Sequence, residues 1–77
     1  MNIIGSLEIR EFIGMKPMIA DLRKSKGLMQ MYVADKIGVK QQQLSNWENG
    51  KAYPRHDYAI KLAKVLGVEV GELYKEE

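Results

Sequence analysis

Residues 30–48, QMYVADKIGVKQQQLSNWE, decide the fold of this 77-residue chain. In the first half, Val33 and Ile37 lie four residues apart, which places both on one face of a helix. The second half has only two large apolar residues, Leu44 and Trp47, among polar ones. The segment therefore predicts a short helix buried along one face, followed by a second helix that is anchored at two positions.

The two predicted helices are joined by three residues, Gly38, Val39 and Lys40. Glycine reaches a positive φ without a Cβ clash, so the chain can reverse sharply after the first helix. The small side chain of Ala34 lets the helices approach at a steep angle, and Val39 is placed to fill the turn. Two short helices joined by a three-residue turn that begins with glycine form a helix-turn-helix arrangement.

The free face of the second helix, at about residues 41–48, is rich in side-chain amides. Glutamine and asparagine can make paired hydrogen bonds to N6 and N7 of adenine in the major groove. A merely soluble helix surface is the alternative interpretation. The flanking turn favours DNA base contacts, and the amides concerned are Gln41, Gln42, Gln43 and Asn46.

The pattern of apolar residues outside this motif predicts three more helices. One runs to about residue 26 with Pro17 in its first turn, where a missing N–H costs nothing. The others cover about residues 56–66 and 70–74. The predicted fold class is therefore all-α, with a compact five-helix domain at residues 16–77 and a short extension before it.

The extension, residues 1–15, reads MNIIGSLEIREFIGM, and its periodicity does not separate strand from helix. A frayed tail is one interpretation. An apolar arm that packs on the domain or on a partner subunit is the other, and we favour it. The reason is the number of large apolar residues: Ile3, Ile4, Leu7, Ile9, Phe12 and Ile13.

Composition excludes several classes of site. The chain has no cysteine and a single histidine, His56, so a disulfide framework or a thiolate zinc site is excluded and no metal or cofactor is expected. Without a phosphate-cradling glycine loop or paired acids, we expect no enzyme. No apolar run is long enough to span a membrane and no secretory signal is visible, so we expect a soluble, cytoplasmic protein without membrane partners.

The charge distribution indicates where a polyanion could bind. Residues 16–56 hold eight cations and three acids, whereas acids are in excess on both sides of this region. A basic middle fits one polyanion-binding face. A solvated lysine surface explains the charges equally well, so charge alone does not decide between the two.

From about Met18 to Tyr74 the sequence resembles the Cro/phage-repressor family of helix-turn-helix domains, also called the XRE family. The matching segments are IADLRKSKGLMQ, ADKIGV, LSNWENGK and LAKVLGVEVGELY, with a proline after the third. They occur in the family's order and at its spacings. The resemblance implies a lambda-repressor-like fold, with double-stranded DNA as the partner.

The resemblance also implies residue roles. Gln41 and Gln42 are expected to contact base edges, with Gln43 and Asn46 as secondary readers. The loop at residues 49–51 matches the segment whose backbone amides and polar side chains hold the sugar–phosphate chain. Contacts to the DNA backbone are expected from Gln30, Lys40, Asn49, Lys51 and Arg55.

Other matched positions are structural, and some depart from the family. Arg23 and Glu48 correspond to a buried ion pair that ties the first helix to the third. Met29 and Lys40 stand where the family often has capping serine or threonine residues. Two positions that are usually polar are apolar here, which predicts an exposed apolar patch at Met31 and Tyr32.

The sequence thus predicts a sequence-specific transcriptional regulator. The family resemblance further implies a repressor of a phage, mobile-element or bacterial promoter that acts as a homodimer on a palindromic operator, with half-sites ~34 Å apart. The alternative is a protein-interaction adaptor or antitoxin-type module with the same fold, for which the apolar patch and the apolar arm would be the binding features. The row of glutamines argues against it, because an adaptor does not need an amide-lined helix.

Overall fold

The computed structural model describes residues 14–76, and these residues are mostly helical. The elements in chain order are β1 (Lys16–Pro17), α1 (Ile19–Ser25), α2 (Gln30–Ile37), α3 (Gln41–Glu48), α4 (His56–Leu66), the 3₁₀ helix η1 (Val70–Leu73) and β2 (Tyr74–Lys75). The predicted bounds of the middle two helices and of the fourth agree with α2, α3 and α4.

The all-α, five-helix prediction is wrong in its last element. The final turn is a 3₁₀ helix of four residues, and the chain becomes extended at Tyr74 (φ −137°, ψ 152°). A capping box fixes where this turn begins, because the side chains of Glu69 and Glu72 each bond the other's backbone. The predicted fifth helix is therefore replaced by one tight turn and a short strand.

The prediction for Pro17 is also wrong. Pro17 lies in β1, opposite Tyr74 in an antiparallel pair, and α1 begins two residues later at Ile19. The amide of Met18 donates to the carbonyl of Leu73 at 2.7 Å, which extends the contact between the two segments. Proline suits this position because an edge strand does not need its missing N–H.

Within residues 14–76 the core is formed by the four α-helices, η1 and β2, which bury apolar side chains against one another. α2 packs against both α3 and α4, and α4 packs against η1. The buried apolar residues are Ile19, Val33, Ala34, Ile37, Leu44, Trp47, Ala59, Leu62, Ala63, Leu66, Leu73 and Tyr74. Within residues 14–76 no helix is long and apolar enough to cross a membrane.

Tyr74 closes the end of the core beside β1. Its ring stacks on that of Tyr53, with ring centroids 5.8 Å apart. Burial raises the pKa of the Tyr74 hydroxyl above its ordinary value, because a phenolate would lose its hydration there; the nearby Tyr53 raises it further. The Tyr74 hydroxyl is therefore harder to ionise than that of an exposed tyrosine.

The apolar arm predicted for the N-terminus lies mostly outside the described residues, since Ile3, Ile4, Leu7, Ile9, Phe12 and Ile13 all fall there. The packing of that arm therefore stays a prediction. Met15, the last residue assigned to the extension, is half-buried and packs against the core.

Two residues of α4 allow a matched test of the core. Leu62 is fully buried, whereas Ile60 is exposed on the other side of the same helix. We expect Leu62→Ala to lower the free energy of unfolding by about 2–5 kcal/mol, because it removes buried methyl groups and leaves a cavity. Ile60→Ala should cost less than about 1 kcal/mol. Urea denaturation followed by circular dichroism measures both, and equal losses would contradict the assignment of the core face.

Candidate nucleic-acid interface

The turn between α2 and α3 is built on Gly38. This residue has φ +80°, in the left-handed region that disfavours side chains with a Cβ, as the sequence predicted. The amides of Gly38 and Val39 donate to carbonyls of α2, those of Asp35 (3.2 Å) and Ala34 (3.0 Å). Val39 is half-buried and packs against the core. The turn therefore fixes the direction in which α3 leaves α2.

α3 is held to the domain by two apolar side chains, Leu44 and Trp47, both buried. The ring of Trp47 packs on that of Tyr58 in α4, with centroids 5.8 Å apart. The three glutamines at the start of α3 are exposed, and Asn46 is half-buried. The helix therefore keeps one face for the fold and leaves an amide-lined face available to another molecule.

Arg23 and Glu48 form an ion pair between α1 and α3. Nε of Arg23 donates to Oε2 of Glu48 at 2.7 Å, and Nη2 donates to Oε1 at 3.1 Å. Nη1 donates to the carbonyl of Leu28 at 2.9 Å. The side chains are only 11% and 6% exposed, so the pair is shielded from water and each charge depends on the other.

Gln30 connects this ion pair to the amide-lined face of α3. Its Nε2 donates to Oε1 of Glu48 at 2.9 Å, and its Oε1 accepts from Nε2 of Gln41 at 3.0 Å. The sequence predicted only a phosphate contact for Gln30. The bridge could not be found from spacing, because its partners lie 11 and 18 residues away and meet only in the folded chain.

A second amide contact lies entirely within α3. Nε2 of Gln42 donates to Oδ1 of Asn46 at 3.0 Å, one helical turn further along. Residues four apart on a helix are neighbours on its surface, so this contact follows from local geometry. Gln43 is exposed, and none of the hydrogen bonds found among residues 14–76 involves its side chain.

The loop after α3 changes one expectation from the family resemblance. The backbone amides of Asn49, Gly50, Lys51 and Ala52 all donate within the chain, to carbonyls of Ser45, Trp47 and Asn46. These amides are therefore already satisfied. The polar groups of the loop that can reach a phosphate are the exposed side chains of Asn49 and Lys51. Nδ2 of Asn49 donates to Oγ of Ser45 at 3.4 Å and keeps its second N–H for another acceptor.

The two remaining residues that were predicted to contact the DNA backbone, Lys40 and Arg55, are positively charged. Lys40 is exposed at the start of α3. Arg55 is exposed just before α4, where its Nη2 lies 3.2 Å from Asp57 and its guanidinium lies 5.3 Å from the ring centroid of Tyr58. An exposed pair of this kind is weak, so Arg55 can exchange its partner for a phosphate at little cost.

An open cleft separates the face of α3 from the start of α4. Sequence reasoning missed the two tyrosines that line it, Tyr53 and Tyr58, because their positions outside α3 gave no signal. The other lining residues are Gly38, Val39, Lys40, Gln42, Gln43, Asn46, Trp47 and Arg55.

His56 is the first residue of α4, and no group of three metal-ligating side chains occurs within residues 14–76.

Comparison with known proteins identifies the class. A family model described as helix-turn-helix matches residues 19–73, from the first residue of α1 to the last of η1. The chain therefore belongs to the helix-turn-helix family. The resemblance to the Cro/phage-repressor (XRE) family indicated by the sequence segments is confirmed.

Individual relatives support the same class. The sequence is 37% identical over 67 residues to the uncharacterized HTH-type transcriptional regulator y4dJ of Sinorhizobium fredii, covering 87% of this chain and 84% of that protein. It is 32% identical over 59 residues to the HTH-type transcriptional activator BcrR of Enterococcus faecalis, covering 77% of this chain. The matched part spans only 29% of the length of that activator.

A crystal structure of a transcriptional regulator from Listeria innocua has the same fold. It superposes with a TM-score of 0.66 at 23% identity, covering 73% of this chain and 52% of that one. At this level of identity the likeness concerns the fold alone.

The ion pair allows a double-mutant test. Arg23→Met and Glu48→Met should each lower the free energy of unfolding by about 3 kcal/mol, because each leaves one charge without its partner in a shielded place. The double variant should lose clearly less than the two single losses together, because no unpaired charge remains. Thermal and urea denaturation measure all three variants. Strictly additive losses would show that the two groups do not depend on each other.

Proposed function

We propose that this chain is a sequence-specific DNA-binding transcriptional regulator that reads the major groove with α3. The observation that carries the proposal is the division of α3 into a buried face, Leu44 and Trp47, and an exposed face of amides. A helix is about 10–12 Å across and the major groove of B-DNA about 12 Å wide, so this face can reach base edges. Membership of the helix-turn-helix family supports the same function.

In this proposal the base readers are amides of α3. Gln41 and Gln42 contact base edges, and Gln43 and Asn46 are secondary readers. An amide offers a donor and an acceptor side by side, which matches N7 and N6 of adenine. One face of α3 thus carries all the side chains that recognise the DNA sequence in this proposal.

The phosphates are met by residues on both sides of α3: Gln30, Lys40, Asn49, Lys51 and Arg55. Helix ends without capping side chains are compatible with this arrangement, and all four α-helices within residues 14–76 begin in this way. Neither Met29 nor Lys40 makes a side-chain hydrogen bond to the helix that follows it. The first amides of α2 and α3 can therefore be satisfied by phosphate oxygens, which the helix dipole also favours.

We further propose that this regulator is a repressor of a phage, mobile-element or bacterial promoter. It would bind as a homodimer to a palindromic operator, with half-sites ~34 Å apart. Its support is the resemblance to the Cro/phage-repressor family, in which bound protein blocks polymerase. A promoter–reporter fusion measures the direction of the effect, since one relative of the chain is named as an activator.

A protein-interaction adaptor or antitoxin-type module is the second candidate. It is favoured by one observation: Met29, Met31 and Tyr32 at the start of α2 are 72%, 58% and 48% exposed. Exposed apolar residues in a group are typical of protein contacts. This candidate leaves the amide face of α3 without a use, and we therefore rank it second.

Selection of bound sites from a random duplex library, followed by affinity measurements at several salt concentrations, tests the function. Gln41→Ala should lose about 1–3 kcal/mol of discrimination at one base pair. Lys51→Ala should weaken binding to all duplexes alike and reduce the salt slope by about 1, because one phosphate contact is lost. A palindrome among the selected sites would support the dimer.

Lys64→Ala is the matched control for Lys51→Ala. Lys64 is an exposed cation near the end of α4, about 12 Å further along the helix axis than His56. It should leave affinity and salt slope unchanged. Uniform losses from both Gln41→Ala and Lys51→Ala would contradict the division into readers and phosphate contacts. Absence of salt-dependent binding to any duplex would leave the adaptor as the function.

A further inference from the structure

The carboxylate of Glu48 accepts a hydrogen bond from Gln30 in addition to the two from its ion-pair partner Arg23. Arg23 donates to both oxygens, at 2.7 Å and 3.1 Å, and Gln30 adds a third bond of 2.9 Å to Oε1. We propose that Glu48 is a positioning residue for base recognition, which acts through Gln30 to fix the atoms that Gln41 presents to DNA. This inference rests on the proposed function of α3 and adds the origin of its base preference.

The charge on Glu48 sets the direction of the hydrogen bonds. An ionised carboxylate only accepts, so the group of Gln30 that faces Glu48 must be its NH₂. The oxygen of the Gln30 amide then lies on the other side, where it can only accept. Gln41 must therefore turn its own NH₂ toward Gln30, as the 3.0 Å contact between Nε2 of Gln41 and Oε1 of Gln30 shows. The charge on Glu48 thus fixes the orientation of two successive amides.

This orientation decides what Gln41 has left for a base. One N–H of its amide is used by Gln30, so one N–H and the oxygen Oε1 remain. A donor next to an acceptor complements N7 and the N6 amino group of adenine. The reverse orientation would leave two N–H groups outward, which would complement O6 and N7 of guanine. Glu48 therefore favours adenine over guanine at the base pair that Gln41 contacts.

The second amide pair of α3 shows what happens without a carboxylate. Gln42 donates to Asn46 at 3.0 Å, and neither side chain is bonded to a charged group in the described part of the chain. Each of these amides can act as donor or acceptor, so the direction of their bond can reverse at little cost. We therefore expect strict base preference at the position of Gln41 and broader preference at that of Gln42.

The placement of Glu48 is consistent with this role. Its side chain is 6% exposed, whereas Gln41 is an exposed residue. Water competes weakly with the bonds at the buried end of the chain of contacts, so the orientation imposed there is held strongly. The exposed end then offers a preset pattern to the DNA, which lowers the cost of ordering the side chain on binding.

The test measures base preference rather than affinity. A duplex selected from a random library with the wild-type protein is used, and the base pair read by Gln41 is the one whose discrimination is lost in Gln41→Ala. All four base pairs are then placed at that position. Glu48→Gln should lower the preference for adenine over guanine by about fivefold or more, because the carboxamide can donate to Gln30 and reverse both amides.

Two further variants separate positioning from folding. Gln30→Met removes the bridge but leaves the ion pair, so it should lose the same preference in a normally stable protein. Arg23→Lys weakens the ion pair but leaves Oε1 of Glu48 as the acceptor for Gln30. It should lower the melting temperature and keep the preference for adenine. Discrimination at the other base pairs should be unchanged in all three variants.

The outcomes distinguish failure of the positioning role of Glu48 from failure of the proposed DNA-binding function. An unchanged preference in a folded Glu48→Gln variant overturns the positioning role of Glu48, while selection of a specific site still supports the proposed function. If Glu48→Gln does not fold, an unchanged preference in Gln30→Met overturns the role instead. Loss of the preference for adenine in a folded Arg23→Lys variant also overturns the positioning role, because the preference would then depend on the ion pair and not on the bond between Glu48 and Gln30. Failure to select any duplex refutes the proposed function itself.

Discussion

The shielded carboxylate of Glu48 is the constraint on which the rest of this structure depends. A charge that is removed from water has to be neutralised and hydrogen-bonded, or the fold loses several kcal/mol. Arg23 supplies the neutralising charge from α1, and Gln30 supplies a third donor from α2. Three helices are therefore fixed relative to one another at the end of α3. The apolar core holds the same helices together, but it is less directional than these bonds.

Once α3 is fixed in this way, few of its residues are needed for the fold. Leu44 and Trp47 fill the core, and the glutamines at its start remain free of packing. The lack of capping side chains at Met29 and Lys40 costs some stability, about 1 kcal/mol for each helix. The start of the loop after α3 differs, because the backbone amides of residues 49–52 all donate to carbonyls within the chain.

The sequence predicted the larger part of the fold because its signals are local. Apolar spacing gave the bounds of α2, α3 and α4, and Gly38 marked the turn because only glycine easily adopts its positive φ. The ends of the domain were predicted less well. Pro17 and Tyr74 are 57 residues apart, and their pairing in a short two-stranded sheet has no local signature. Val70–Leu73 is too short for periodicity to separate a 3₁₀ turn from an α-helix.

The candidate site divides in the same way. The sequence by itself determined which residues line the exposed face of α3, because helix periodicity and residue type decide which side chains are buried. Only the tertiary structure decided how those side chains are connected. Gln30 begins α2, whereas Gln41 and Glu48 are the first and last residues of α3, and their hydrogen bonds depend on distances of about 3 Å that no spacing rule encodes. Amide orientation follows from the neighbouring carboxylate, so it is a property of the folded chain and not of any one segment.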